Sequence, residues 1–286
     1  MCLSAIALDP THPRFTFVVA ANRDEFHARP AAALAWWPDR PGILAGRDLQ
    51  AGGSWLGLSR DGRFALLTNV RGATADTGPS RGTLVPDWLQ GDGDVHHFWS
   101  VQRGHAAYNL IAADFARGEC WWMNPELPAP QRMAAGLHAV SNARLDTPWP
   151  KLRLLKHRVA DAMAACDDAQ QLSQRLFAAL ADDAPADDTE LPHTGVPLDV
   201  ERALSAAFIR MPQHAYGTRC STVVIGDASG NTQVWERSYT SDGIPAATRH
   251  EMLVGWPPQT SARTISTCGM PASSNGAPRS ANPARA

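Results

Sequence analysis

The chain has 286 residues, 44% of them hydrophobic and 19% charged, with a formal net charge of −2. That balance excludes partners that depend on a strong charge, so neither nucleic acid nor an anionic membrane surface is expected, and a small-molecule substrate or ligand is. The longest apolar runs fall far short of the ~20 residues that span a bilayer. The first residues also lack a basic region leading into an apolar segment and a cleavage site, so a cytoplasmic protein without membrane insertion is expected. The length suffices for a large core, and a sheet sandwich of this size can be one domain.

Cys2-Leu3-Ser4-Ala5-Ile6-Ala7-Leu8, closed by Asp9-Pro10, reads as a short apolar strand ended by a turn. Removal of Met1 leaves a thiol and an α-amine on one residue. Such an amine titrates at about 7.7–8.0 and can take the thiol proton without a histidine. The plainer alternative is that Cys2 is a small apolar residue near a chain start. Phe15 to Ala21 is a continuous run rich in aromatic and β-branched residues, which predicts a second strand covered on both faces. It delivers Asn22-Arg23-Asp24-Glu25 to its end, so a guanidinium and two carboxylates lie near the thiol. Arg23 is expected to lower the thiol pKa and Asp24 to hold the ammonium; the alternative is a solvated strand end with a weak surface ion pair. Gly46 and Gly52-Gly53 make no phosphate loop, since no Gly-Lys-Ser or Gly-Lys-Thr follows, and are read as backbone geometry near a cleft. Trp55 beside them either lines an acyl or aromatic pocket or packs in the core.

Met1-Cys2, Ala21-Asn22-Arg23-Asp24-Glu25 and Gly52-Gly53-Ser54-Trp55-Leu56-Gly57 together resemble the NRDE family, also called the transport and Golgi organisation protein 2 family. The resemblance runs from residue 1 to about residue 255. It implies an α+β fold of the N-terminal nucleophile hydrolase kind, a four-layer αββα sandwich of two mainly antiparallel sheets with Cys2 at the mouth of the cleft. Residues 1–256 are then one domain. Family members are linked to haem movement and lipid metabolism, whereas better understood relatives of the fold hydrolyse amides such as conjugated bile salts and penicillin V. The bile salt hydrolases carry Arg-Asn-Leu-Asp after the second strand where this chain has Asn22-Arg23-Asp24-Glu25, which leaves the register of those roles open by one residue.

Ser54 to Leu58 and Phe64 to Asn69 form a hairpin signal around Asp61-Gly62. Its second strand ends in Thr68-Asn69-Val70-Arg71, so an amide and another guanidinium emerge where an apolar strand stops. Asn69 is the position resembling the oxyanion-stabilising Asn of the related hydrolases; otherwise it caps a turn. Pro79-Ser80-Arg81-Gly82 enters a helix with Ser80 as N-cap, and Arg81 either meets an anionic substrate group or faces water. Tyr108–Asp114 and Glu119–Asn124 form a second hairpin. Leu137 to Val140 then leads through Ser141-Asn142 to Trp149-Pro150, a passage resembling the Thr-Asn-Ser-Pro segment of the bile salt hydrolases, which makes Asn142 the second oxyanion candidate. Two helices are predicted from about 150 to 181 with a break at Asp167-Asp168, then an acidic surface loop, then a short helix from Val200 to Ile209. A third hairpin joins Tyr216–Asp227 to Asn231–Arg237, and Arg219 at its start either points into the cleft or makes a structural salt bridge. Asn22, Trp55, Arg71, Arg81 and Arg219 thus make up the candidate substrate-binding set beside Cys2, Arg23, Asp24, Asn69 and Asn142. Residues 257–286, rich in Pro, Ser, Ala, Gly and Arg, read as a low-complexity tail that cannot offset the entropy of ordering.

Five widely spaced cysteines with no C-x-x-C pair exclude a disulfide framework and a zinc motif. Ten scattered histidines supply no metal site, since neighbours such as His96-His97 diverge on any regular element. No cofactor is expected. The favoured function is hydrolysis of an amide or related acyl bond by Cys2; the alternative is binding or trafficking of haem or another hydrophobic ligand on the same scaffold without its chemistry, because haem ligation needs only one His or Cys and an apolar pocket.

Overall fold

The computed structural model describes residues 2–8, 12–71, 78–102 and 104–258. In chain order the strands are β1 (Cys2–Leu8), β2 (Phe15–Phe26), β3 (Ala31–Trp36), β4 (Ile43–Asp48), β5 (Leu56–Ser59), β6 (Arg63–Asn69), β7 (Tyr108–Asp114), β8 (Glu119–Met123), β9 (Gln131–Arg132), β10 (Gly136–Val140), β11 (Arg210–Met211), β12 (Tyr216–Asp227), β13 (Asn231–Tyr239) and β14 (Pro245–Val254). The α-helices are α1 (Leu84–Gln90), α2 (Val95–Val101), α3 (Pro150–Ala165), α4 (Ala169–Leu180) and α5 (Leu198–Leu204).

Two antiparallel sheets result, one ordered β10-β1-β2-β12-β13-β14 with β11 on β12, the other β3 to β9 in sequence. Strand parity sorts the apolar residues of the first sheet into two cores. Leu3, Ala5, Ala7, Val18 and Ala20 pack under α3 and α4 with Leu155, Val159, Leu176 and Phe177. Ile6, Leu8, Phe17, Val19 and Ala21 face the second sheet and meet Leu56, Leu58, Phe64, Leu66 and Ile111. The second sheet's outer face carries α1 and α2 through Leu67, Leu110, Trp88, Leu89 and Phe98. The order of layers is therefore helix, sheet, sheet, helix, the fold class expected from the resemblance. It also explains why β2 reads as unbroken apolar sequence: both of its faces are covered.

Several elements differ from expectation. The four polar residues Asn22 to Glu25 do not follow the second strand but lie inside it, since β2 runs on to Phe26 and stays paired with β12 as far as Tyr216. The last helix stops at Leu204, because Ile209 turns away to bond Thr218 through both its N–H and its carbonyl. The Ala-rich β3 gives no strand signal and is held as a strand by pairing with β4. The Asp61-Gly62 turn forms as expected, with Gly62 at φ +87°, a conformation open to glycine. No helix among the described residues is long and apolar enough to cross a membrane. Of the expected tail, Pro257 and Pro258 lie against the Gly62 turn, and 259–286 fall outside the described residues.

The topology gathers chemistry at one end. β1 starts there at Cys2, level with Arg23 of β2, while β6 ends there at Asn69 and β10 runs out into Ser141 and Asn142.

Candidate active site

Cys2 stands directly across from Arg23 in the β1–β2 register, and both lie on the side facing the second sheet. Opposed residues of an antiparallel pair have Cβ atoms about 4.5–5.5 Å apart. They open onto a cavity of about 390 Å³ between the two sheets, whose wall also includes Asp24, Glu25, Arg29, Asp48, Trp55, Asn69 and Arg81. The Arg23 guanidinium lies 4.3 Å above the Trp55 ring. Gly46 makes that stack possible: a Cβ at Gly46 would collide with the Trp55 ring. Ser54 is held by its N–H to the Gly82 carbonyl and by its hydroxyl to the Gly46 carbonyl, which fixes the tryptophan's backbone against the entry to α1.

Arg23 is buried, yet its Nη1 has no hydrogen-bond partner among the described residues. Its Nη2 lies 3.9 Å from Asp48 and 4.0 Å from Glu25, too far for hydrogen bonds. Asp48 is spent elsewhere. It accepts from Arg29 Nε at 2.7 Å and from the N–H groups of Gln50 and Ala51, and although burial alone would raise its pKa, these bonds hold the carboxyl below its ordinary value.

Burial pushes the Cys2 thiol up from its ordinary value; the N-terminal ammonium pulls it back, Asp24 adds to the rise, and Arg23 opposes it. The expected effect of Arg23 is present, but desolvation outweighs it, so the thiol rests protonated at neutral pH. Asp24 is also raised by burial, against the pull of the N-terminal ammonium, Lys151, the Thr218 hydroxyl at 2.7 Å and Arg23. It sits on the opposite face of β2 from Arg23 and still borders the cavity.

Asn69 lines the cavity, and among the described residues its side-chain amide makes no hydrogen bond. The second asparagine works differently: Asn142 donates from Nδ2 to the Asn69 carbonyl at 2.9 Å and accepts from the Ser141 hydroxyl at Oδ1. Asn142 is thus tied to the Asn69 backbone and is not among the residues that line the cavity. The Ser141 hydroxyl shares its one proton between Asn142 and the Cys2 carbonyl, the latter nearer at 2.8 Å, and Thr68 donates to the Ser141 carbonyl at 2.6 Å, so the two sheets are tied beside the thiol.

Three members of the expected substrate-binding set are engaged elsewhere. Asn22 donates to the Leu180 and Ala207 carbonyls and accepts from Ser221 on the helix side of the sheet. Arg71 pairs with Glu201 at 2.7 Å and with Thr194. Arg219 sits at a β-bulge of β12 and donates through one nitrogen to the carbonyls of Phe26, His27 and Arg29, tying down the end of β2. Trp55 and Arg81 remain in the cavity wall, with Arg81 donating to the Ala107 carbonyl.

The family model described as Transport and Golgi organisation 2 matches residues 1–241. The chain belongs to the Transport and Golgi organisation 2 family. The Transport and Golgi organization protein 2 homolog of Homo sapiens is 34% identical over 261 residues, covering 83% of this chain and 93% of its own. The Drosophila melanogaster protein of that name is 23% identical over 285 residues, at 84% and 93% coverage. Among solved structures, the Caenorhabditis elegans ortholog of N-acylethanolamine-hydrolyzing acid amidase aligns at TM-score 0.45 and 11% identity over 78% of this chain and 92% of its own. The C2A mutant of the conjugated bile acid hydrolase from Clostridium perfringens aligns at 0.46 and 8%, over 89% and 98%. Both likenesses are too distant to bear on chemistry.

In this Transport and Golgi organisation 2 family member, two buried side chains near Asp24 were not expected from the sequence. Thr218, hidden in the Gly217-Thr218-Arg219 phrase, is the residue that meets Asp24. Lys151 donates to the Leu204 carbonyl, is buried, and is lowered by that burial to about 8, against the opposing charge of Asp24. A lysine in register with the apolar stripe Leu155 and Val159 of α3 was the available signal.

Proposed function

We propose that the protein is an N-terminal-cysteine hydrolase acting on an amide or related acyl bond of a small molecule. One arrangement carries the reading: Cys2 and Arg23 share a face across a strand pair and open onto the same cavity as Asn69, whose side-chain amide makes no hydrogen bond among the described residues. Removal of Met1 gives Cys2 its own α-amine. As Sγ attacks the substrate carbonyl carbon, the S–H proton passes to that amine, directly or through a water, and the C=O electron pair moves onto oxygen, where the Asn69 amide donates. Collapse re-forms the carbonyl and breaks the bond to the leaving nitrogen, which takes the proton back from the ammonium. The thioester that remains is attacked by water, which gives its proton to the amine and finally to the departing sulfur. Arg23 across the strand pair favours the developing thiolate, and Asp24, which borders the same cavity, is placed to hold the ammonium.

The test is intact mass combined with site-mapped acylation by a small activated ester. The reading expects loss of Met1 and a hydroxylamine-labile acyl group on Cys2. A chain that keeps Met1, or a processed Cys2 that acylates no faster than an unfolded peptide thiol, sinks it.

A second reading, a carrier of haem or another hydrophobic ligand, draws support from a cavity of about 720 Å³ at the far end of the sandwich, lined by Leu8, Phe17, Phe115, Met133 and Trp256. No histidine lines that cavity among the described residues, and burial lifts the Cys120 thiol to about 12, so it is no thiolate donor to iron. An apolar ligand fits those walls better than haem. Haem titration followed by absorbance decides that part: spectra identical to free haem exclude it.

A further inference from the structure

We propose that the cavity beside Cys2 takes a small substrate bearing a carboxylate next to the scissile acyl bond, as in an N-acylated amino acid, and that Arg23 is the group that reads the carboxylate. This rests on the reading of that cavity as the substrate site and names its substrate class.

The argument begins with an unmade bond. A guanidinium offers five N–H donors in a rigid plane, and a buried donor without a partner is costly and therefore uncommon. Arg23 is 5% exposed and lines the cavity, yet Nη1 has no acceptor among the described residues. The two nearest carboxylates do not serve. The Asp48 oxygen 3.9 Å from Arg23 accepts from Arg29 at 2.7 Å, and Glu25, 4.0 Å away, has its other oxygen on the Phe26 N–H. One face of the guanidinium is covered by Trp55 at 4.3 Å, and its N–H groups point outward along the edge of the plane. A planar anion with two oxygens matches that edge in a bidentate manner, and a carboxylate is the smallest group that does so.

Distance from the thiol limits the rest. Arg23 is the cross-strand neighbour of Cys2, so an anion on Arg23 lies within a few bonds of a carbonyl carbon at Sγ. In an N-acylated amino acid, the acyl carbon and the carboxylate are separated by the amide nitrogen and one carbon, which matches that reach. At about 390 Å³ the cavity lies at the small end for ligand sites, and its wall is mostly charged and polar, with Trp55 and Leu67 as the large apolar members. A long acyl chain finds little to bury against there, whereas a short polar amide does.

The experiment measures binding without turnover. A full-length Cys2→Ala chain is titrated calorimetrically with N-acetylglycine and N-acetylalanine and, in parallel, with the uncharged N-acetylglycinamide and with acetyl phosphate. The acids are expected to bind at least about tenfold more tightly than the amide, as for a charge-assisted pair. Arg23→Gln is expected to bring that ratio to near one while unfolding remains cooperative, and Arg23→Lys, which keeps charge and bulk, to leave a reduced preference. Should Arg23→Gln fail to fold, Arg23→Lys carries the comparison, because loss of the planar fork alone must lower the ratio. Equal binding of acid and amide, tighter binding of acetyl phosphate, a preference that survives both substitutions, or no saturable binding of any acid overturns the proposal. Its failure is separable from that of hydrolysis: a Cys2 that acylates without acid preference leaves hydrolysis standing, and an Arg23-dependent acid preference in a chain that keeps Met1 leaves the ligand class standing.

Discussion

Replacing Asn22 by Ala tests whether this residue holds the fold together or meets substrate. Its amide donates to Leu180 O at 2.9 Å and Ala207 O at 2.8 Å, and its oxygen accepts from Ser221 Oγ at 2.6 Å. Leu180 ends α4, where carbonyls lack partners within the helix, so Asn22 is the link between that helix end and the sheet. Three buried hydrogen bonds at ~1 kcal/mol net each give about 3 kcal/mol. Ser221 keeps its contact with Tyr239 at 3.0 Å, which moderates the loss on that side, while two carbonyls remain buried without their donor. For a chain of this size each kcal/mol moves Tm by ~2–4 °C, so a fall of roughly 6–12 °C is expected. Calorimetry and urea unfolding measure it, and Asn22→Asp, nearly isosteric but aiming a carboxylate at two carbonyls, is expected to lose more at neutral pH and recover in part on acidification. A Tm within about 2 °C of the parent refutes the reasoning, since a buried residue with three bonds cannot be removed so cheaply.

In a chain that keeps Met1, alkylation of Cys2, mapped by peptide mass, is expected to climb with pH and remain below half-maximal at pH 9.0, the ordinary thiol value, because burial raises it; a plateau near neutrality contradicts that balance. His138 and Asp146, 2.8 Å apart, make a pH-dependent contribution. Asp146 is depressed to about 2, since the His138 and Lys156 hydrogen bonds outweigh the upward push of burial, so its contribution is present above its ordinary 3.8 and is lost as pH falls toward 2. His138 is raised, chiefly by the Asp146 hydrogen bond, so its contribution is complete below its ordinary 6.5 and is lost as pH climbs through the raised value. Asp146→Asn is therefore expected to cost about 1 kcal/mol at pH 5, a figure reduced for the partial exposure of the pair, and less at pH 9; a loss independent of pH counts against the pair.

What the sequence reveals and what it conceals follow from the range of the interactions. The approach of Cys2 to Arg23 is a matter of one hairpin, and a hairpin is local, so its chemistry is legible from residues 2 to 25. The facing of the polar run is not. Because both sides of β2 are buried, apolar residues do not alternate with polar ones, and nothing in the run tells that Arg23 points toward the second sheet while Asn22 and Asp24 point toward the helices. Arg71 and Arg219 look available in sequence because their partners, Glu201 and the carbonyls at the end of β2, lie far along the chain. Lys151 escapes notice for the same reason: its meaning comes from Leu204 and Asp24, which only the packed helix layer brings near. Asn69 was legible at the end of a strong strand, whereas the use of Asn142 as its clamp depends on the meeting of two sheets.

Gly46 touches no candidate reactive atom, yet a methyl group there would strike the indole of Trp55 and tilt the surface on which Arg23 rests. The seat of the cation is thus governed from a neighbouring strand by the lack of a side chain. A family comparison that scores only polar positions would overlook the residue on which that seat depends.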